Sequence, residues 1–469
     1  MLLLFQPGPA EEPLILMLAL PSVLCLAVTM NTFYQMEPDR YVSHKLYRDV
    51  AGEHNEQAVK EALKNDGGYY RTEQMGNDDE NAADLNRIWD AGQNITSIYS
   101  SAYNSEYQTF RQKTFGLEEP FRNVMMQSVS KNPVFCRMMG VRYIVSDSDV
   151  TGYALVKKCE KTGIYQNNDV APVMYATDRV MTEKEYNKLA FPYNQTAFLE
   201  YAVVGEHTES SDQNIMTAYT PVSLKMADNH KAQNGAGNRT TDIGKKNGNE
   251  RKVGTWIHEK EDGWKIKKIT FSIRQVQQET TQQEGQRQIL FLSFRVDNAR
   301  PNKDVAVWIN GIRNKLSAKD HVYYNENKTF IYAVSLKDGE DTISVTFGKG
   351  KYQLSHVQAY LGSLPERSKT LYQSEVQVDK KLTKDNVIQG TIQVKNDGWF
   401  ITSIPYDTHF KMYIDGKETK IQKVNTAFLG CEIGSGKHEV RIVYHAPGAT
   451  AGKVFSMIGI VGFVLLLVL

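Results

Sequence analysis

Cysteine is scarce: four in 469 residues, at positions 25, 136, 159 and 431. That number is too small for a disulfide scaffold, and no spacing among them resembles a zinc site. A bridge between Cys136 and Cys159, which flank an expected strand, stays open beside the favoured alternative of buried free thiols. Excess charge is also missing. Lys plus Arg number 55 and Asp plus Glu 54, so no global field favours a nucleic acid or an acidic surface, and no nucleic-acid partner is expected. There is no nucleotide-binding Gly-rich loop, nucleophile elbow or metal cluster, and no catalytic residue, metal or cofactor is assigned. Long apolar runs are confined to the two ends.

Those two runs carry the first positive reading. Leu14 to Met30 holds 17 residues without a charge, near the lower limit for crossing a bilayer. Glu11 and Glu12 precede it, without Lys or Arg, and Leu24 stands before Cys25. Both the signal-peptide and the lipobox readings are therefore weak, and a retained membrane helix is expected. Val454 to Leu469 reads as a last helix that stops within its apolar stretch, with Met1 likewise beginning abruptly, as in part of a longer protein. Residues 31–453 then form one polar block whose ends lie on the same side, with membrane lipid as a partner.

Within that block the strongest grammar runs from Lys395 to Pro447. Strands are expected over Trp399 to Ile404, Phe410 to Ile414, Glu418 to Val424 and Ala427 to Ile433, with a closing strand after Gly434-Ser435-Gly436. Asp415-Gly416 supplies the two positive-φ positions of a tight hairpin. The same order occurs earlier: Val305 to Asn310 runs into Gly311, and Lys337-Asp338-Gly339 precedes Thr342 to Phe347. Two related β-sandwich units in tandem are expected.

The expected fold is a membrane-anchored α+β to mainly β ectodomain, with tandem antiparallel β-sandwich units flanked by single transmembrane helices. Its divisions are 1–30 (transmembrane helix with a short stub), 31–226 (α+β), 227–254 (an Asn/Gly-rich loop or linker), 255–365 and 366–452 (sandwiches), and 453–469 (truncated transmembrane helix). In the α+β part, helices are expected over Glu56 to Leu63, Val134 to Gly140 and Thr182 to Leu189, where Thr182 and Glu185 form a capping box. Val141 to Ser146 is a buried strand. Asp147 and Asp149 at its end are candidates for a metal or acid–base pair, against the favoured reading of a solvated turn.

Several short stretches taken in order resemble the C-terminal half of the bacterial YfhO family of multi-spanning membrane proteins. They are Asp66-Gly67-Gly68-Tyr69-Tyr70-Arg71-Thr72-Glu73, Ile98 to Asn104, Met139 to Val145, Ser403-Ile404-Pro405-Tyr406, Tyr413-Ile414-Asp415-Gly416, Ala427-Phe428-Leu429-Gly430 and Gly436 to Val440. The resemblance implies a glycosyltransferase using lipid-phosphate-linked sugars and glycosylating a cell-envelope polymer such as lipoteichoic acid. It also implies a bacterial cell membrane location with residues 31–453 extracytoplasmic. Lipid-linked sugar and cell-envelope glycopolymer are then partners. The catalytic acidic residues of such enzymes lie on an outward loop near the first spans, so none is transferred to this chain.

The alternative is a tethered carbohydrate-binding or accessory protein without chemistry of its own. Aromatic faces stack on pyranose rings, which makes Trp308, Trp399, Tyr406, Tyr99 and Tyr103 the candidate glycan contacts. Strands of period two bury one face, so most of the tryptophans are expected in the core.

Overall fold

The computed structural model describes residues 24–32, 43–45, 53–75, 92–97, 103–117, 129–159, 162–205, 216–226, 256–258, 267–275, 287–322, 324–348, 350–365, 371–372, 374–384 and 386–468. The chain divides into a unit of residues 1–54 and one of residues 55–469. In the first, residues 24–32 are helical, and the Thr29 and Thr32 hydroxyls donate back to the carbonyls of Cys25 and Val28. The expected linker 227–254 and most of the expected span Leu14–Met30 lie outside the described residues.

The second unit is mainly β, and its two halves share a strand order. Beside the Asn310-Gly311 hairpin run Ile312–Leu316, Val305–Ile309, Thr342–Phe347, Lys267–Gln275 and Thr220–Met226. Beside the Asp415-Gly416 hairpin run Lys417–Thr419, Phe410–Ile414, Gly436–Tyr444, Val387–Val394 and Gln377–Val378. Both hairpins turn on paired positive φ angles, 45° and 80° in the first and 51° and 76° in the second, the geometry that matches the right-handed twist of the flanking strands. The second layers correspond too. Gly350–Gly362, Ile289–Asn298 and Thr329–Ser335 lie side by side in one half, and Met174–Thr177, Gly398–Pro405 and Phe428–Ile433 in the other.

That correspondence shows where strands cross the expected boundaries. Thr220–Met226, at the end of the α+β segment, pairs with Lys267–Gln275 and Gly350–Gly362, joining the first half into one nine-stranded sheet. Met174–Thr177 pairs with Gly398–Pro405, so a strand from far upstream fills the second layer of the C-terminal half. One expected strand divides between layers: Glu418 to Val424 becomes Lys417–Thr419 and Gln422–Val424, and the short strands Ser374–Glu375 and Gln377–Val378 divide between the layers in the same way. In each case the chain steps from one sheet to the other within one or two residues, which side-chain alternation alone does not reveal.

Gly398 makes the borrowed strand possible. A Cβ there would stand 2.3 Å from the Thr177 carbonyl oxygen, and backbone on that side cannot yield cheaply. Gly398→Ala is expected to lower stability by about 1–3 kcal/mol, the usual range for overpacking. Chemical denaturation checks this; an unchanged midpoint would mean that the Trp399–Thr177 pairing is loose.

The α+β part carries the mixed sheet Arg71–Met75, Val141–Ser146, Thr162–Gln166 and Ala154–Cys159. The Thr182–Glu185 capping box forms, heading the short helix Glu183–Tyr186. Cys136 and Cys159 are free thiols, not a bridge. One apolar core runs through this part and both sandwich halves, drawing on Phe110, Phe135, Phe198, Phe291, Trp399 and Phe428.

After Tyr444 the chain enters the helix Ala449–Val468. From Val454 to Leu465 its large apolar side chains are 50–72% exposed, and its described side chains end there. Among the described residues no helix is long and apolar enough to cross a membrane, so the flanking transmembrane helices expected from the sequence are not seen as such.

Candidate functional site

The short stretches singled out in the sequence find one another in space. Arg71 is 8% exposed. Its Nη1 donates to the Met139 carbonyl (2.5 Å) and Ser403 Oγ (2.6 Å), and its Nη2 to the Ser403 carbonyl (2.8 Å). The Asn104 amide donates to the Tyr406 carbonyl (2.7 Å) while its oxygen caps the helix at Tyr107 N. Tyr107 OH reaches the Thr96 carbonyl (2.7 Å), and the rings of Tyr107 and Phe110 pack edge-on against Phe428. Asp66 accepts from Gly68 N, Tyr143 OH and Arg142 Nη1, which together hold its carboxyl below the usual range against the opposing effect of burial. At the far end, Asp415 accepts from Glu439 N and lies 2.8 Å from His438 Nδ1, joining the last two stretches.

These contacts are the stitching of the fold. Glu73, 1% exposed, accepts from Thr96 N and Ser97 Oγ. Burial raises its carboxyl pKa, opposed by the Thr96 hydrogen bonds and by Arg111 and Arg71. A group so enclosed cannot meet a polymer. Asp147 and Asp149 form the solvated turn: both are exposed, and Asp149 accepts from Tyr165 OH at 3.2 Å. Among the described residues no group of three or more His, Cys, Asp or Glu could hold a metal.

An open site lies elsewhere, in a cleft of about 340 Å³ between the α+β part and the first sandwich half. One wall is Pro133, Arg137, Thr151, Tyr153 and Asp169; the other is Arg287, Ile289, Ser335, Asp338 and Leu364. Arg137 sits in the buried helix Pro133–Met138, whose start is fixed by Asn132 Oδ1 accepting from Val134 N and Phe135 N. Its Nη2 pairs with Asp169 Oδ1 at 2.7 Å, while its buried Nε has no hydrogen-bond partner among the described residues. Such an orphaned donor is costly in a packed interior. On the rim, Gly152 takes φ +106°, and a Cβ there would lie 3.5 Å from Arg287 Nη1. The guanidinium of Arg287 thus rests beside the turn of the opposite wall.

Residues 1–456 match the family described as bacterial membrane protein YfhO. The chain belongs to the YfhO family. The uncharacterized protein YfhO of Bacillus subtilis (strain 168) is 21% identical over 174 residues, which cover 36% of this chain and 20% of that protein. The match thus spans one fifth of the length of that relative. A solved structure, the cupin 2 conserved barrel domain protein from Leptotrichia buccalis, covers 42% of this chain and 98% of its own, at 11% identity and a TM-score of 0.10. A likeness that slight carries nothing for this chain. Membership does place the chain among bacterial membrane proteins.

The aromatic candidates for glycan contact scatter. Trp399 is 4% exposed and belongs to the shared core, so it offers no ring face to a sugar. Trp308 is half-buried on Val305–Ile309, Tyr406 is half-buried against the core of the C-terminal half, and Tyr103 is 45% exposed. Tyr99 lies outside the described residues. None of the four described ones lines the cleft. Its charged residues escaped the sequence reading, although Arg137, alone in the apolar stretch Val134 to Met139, was the signal available.

Proposed function

We propose that this chain is the extracytoplasmic, acceptor-handling portion of a glycosyltransferase-like bacterial membrane protein. In this reading it takes part in glycosylating a cell-envelope polymer such as lipoteichoic acid, with sugar delivered on a lipid phosphate. The match of residues 1–456 to the YfhO family carries the reading. The apolar exposed helix Ala449–Val468 supports a membrane attachment at the end of the β-rich body; with the run Leu14 to Met30 as a second attachment, both ends of residues 31–453 lie on one side of the membrane, taken in this reading as the outer face. The bond-making groups lie in membrane-embedded segments, and this body presents the acceptor to them.

The test is genetic and chemical. Deleting the gene in its native bacterium is expected to reduce the sugar content of purified lipoteichoic acid to background. The full-length gene restores it, and a version lacking residues 31–453 does not. Unchanged glycosylation in the deletion strain sinks this reading and leaves the tethered, non-enzymatic carbohydrate-binding protein in its place.

A further inference from the structure

Charge and hydrogen-bonding capacity in the cleft define what fits it. Each wall brings one guanidinium and one carboxylate, Arg137 with Asp169 and Arg287 with Asp338, and the hydroxyls of Thr151 and Ser335 also line the cleft. The formal charges cancel. Arg137 and Asp169 are committed to each other at 2.7 Å. Arg287 and Asp338 are exposed, and among the described residues neither has an ion-pair or hydrogen-bond partner. An anion in the cleft shares its lining with two carboxylates, and a cation shares it with two arginines, so neither sign of charge is favoured by the formal count.

A ligand with many hydroxyls and no charge suits all of these groups at once. Each hydroxyl both donates and accepts, so it satisfies a carboxylate on one side and a guanidinium on the other. Pro133, Ile289 and Leu364 supply apolar surface for the C–H faces of a ring. About 340 Å³ lies at the small end of ligand sites. The boundary between two packed parts of a chain is also a common place for such a site.

We propose that this cleft is a subsite for a neutral saccharide of one or two hexose-type units, gripped by Arg287 and Asp338 and bottomed by the Arg137–Asp169 pair. The proposal rests on the glycosyltransferase-like reading only for the source of the sugar, as a unit of the polymer being handled.

The experiment uses the full chain in detergent micelles, titrated calorimetrically with glucose, galactose, N-acetylglucosamine and N-acetylgalactosamine, and separately with inorganic phosphate and glycerol phosphate. At least one neutral sugar is expected to bind one to one. The double variant Arg287→Gln, Asp338→Asn is expected to weaken it tenfold or more, with its unfolding midpoint unchanged because both residues are exposed. Thr151→Val, a smaller change, is expected to weaken binding severalfold. Three results overturn the proposal: no neutral sugar binds, binding survives the double variant, or phosphate or glycerol phosphate binds more tightly than every sugar. Sugar binding that fails while lipoteichoic acid glycosylation still depends on the gene removes the cleft and keeps the functional reading. Binding that holds while glycosylation is unaffected does the reverse.

Discussion

Arg71→Ala is expected to lower the stability of the β-rich body by about 3–5 kcal/mol, because two buried carbonyls each lose a hydrogen bond from a charged donor, worth about 1.5–3 kcal/mol apiece. The guanidinium spans two carbonyls and one hydroxyl drawn from residues 68 and 332 positions away. Without it the Met139 and Ser403 carbonyls are buried with one partner fewer, and Glu73 loses a cation that favours its charged form. Arg71→Lys is not expected to rescue, because an ammonium cannot reproduce the planar fork that reaches Met139 and Ser403 together. Urea denaturation of the purified chain in micelles measures both variants. A loss below about 1 kcal/mol for Arg71→Ala, the scale of an ordinary surface hydrogen bond, would show that the cluster is not what joins these parts.

Phe428→Ala is expected to cost a similar amount, about 3–5 kcal/mol, as a large-to-small change in a packed core. Phe428 is fully buried, with ring centroids 4.9 Å from Phe110 and 6.0 Å from Tyr107. It therefore plugs the C-terminal half into the α+β part. The adjoining turn holds the same junction by backbone: Asn425 N donates to the Val203 carbonyl and Asn425 Oδ1 accepts from Val203 N, each at 2.8 Å. Phe428→Leu, which keeps most of the volume, is expected to lose less than about 1.5 kcal/mol. Equal losses for the leucine and alanine variants would show that ring shape, and not filled space, decides the packing.

The local grammar of the chain was legible because its causes are local. Val141–Ser146, Phe410–Ile414 and Thr342–Phe347 fall where alternation and turn residues place them, and the two hairpins turn on the expected Asn310-Gly311 and Asp415-Gly416 pairs. Strand partnership across long distances was not legible. Nothing in Met174-Tyr175-Ala176-Thr177 announces that its partner is Gly398–Pro405, since four buried residues in a row fit a central strand of any sheet. The candidate site fared similarly. Aromatic residues drew attention as sugar platforms, yet burial took Trp399. The polar cleft is assembled from Arg137, Asp169, Arg287 and Asp338, which come from four loops or short elements with no shared motif.

The borrowed strand also sets an order of events during synthesis. Met174–Thr177 has its sheet neighbours in Gly398–Pro405 and Ser374–Glu375, which leave the ribosome on the order of ten seconds or more later at ordinary elongation rates. Throughout that interval an apolar strand waits without its ladder, and long-range pairing of this kind folds slowly. Nascent chains that stop between residues 205 and 374 therefore carry an apolar segment without its sheet partners, the kind of unpaired strand that invites pairing with another chain.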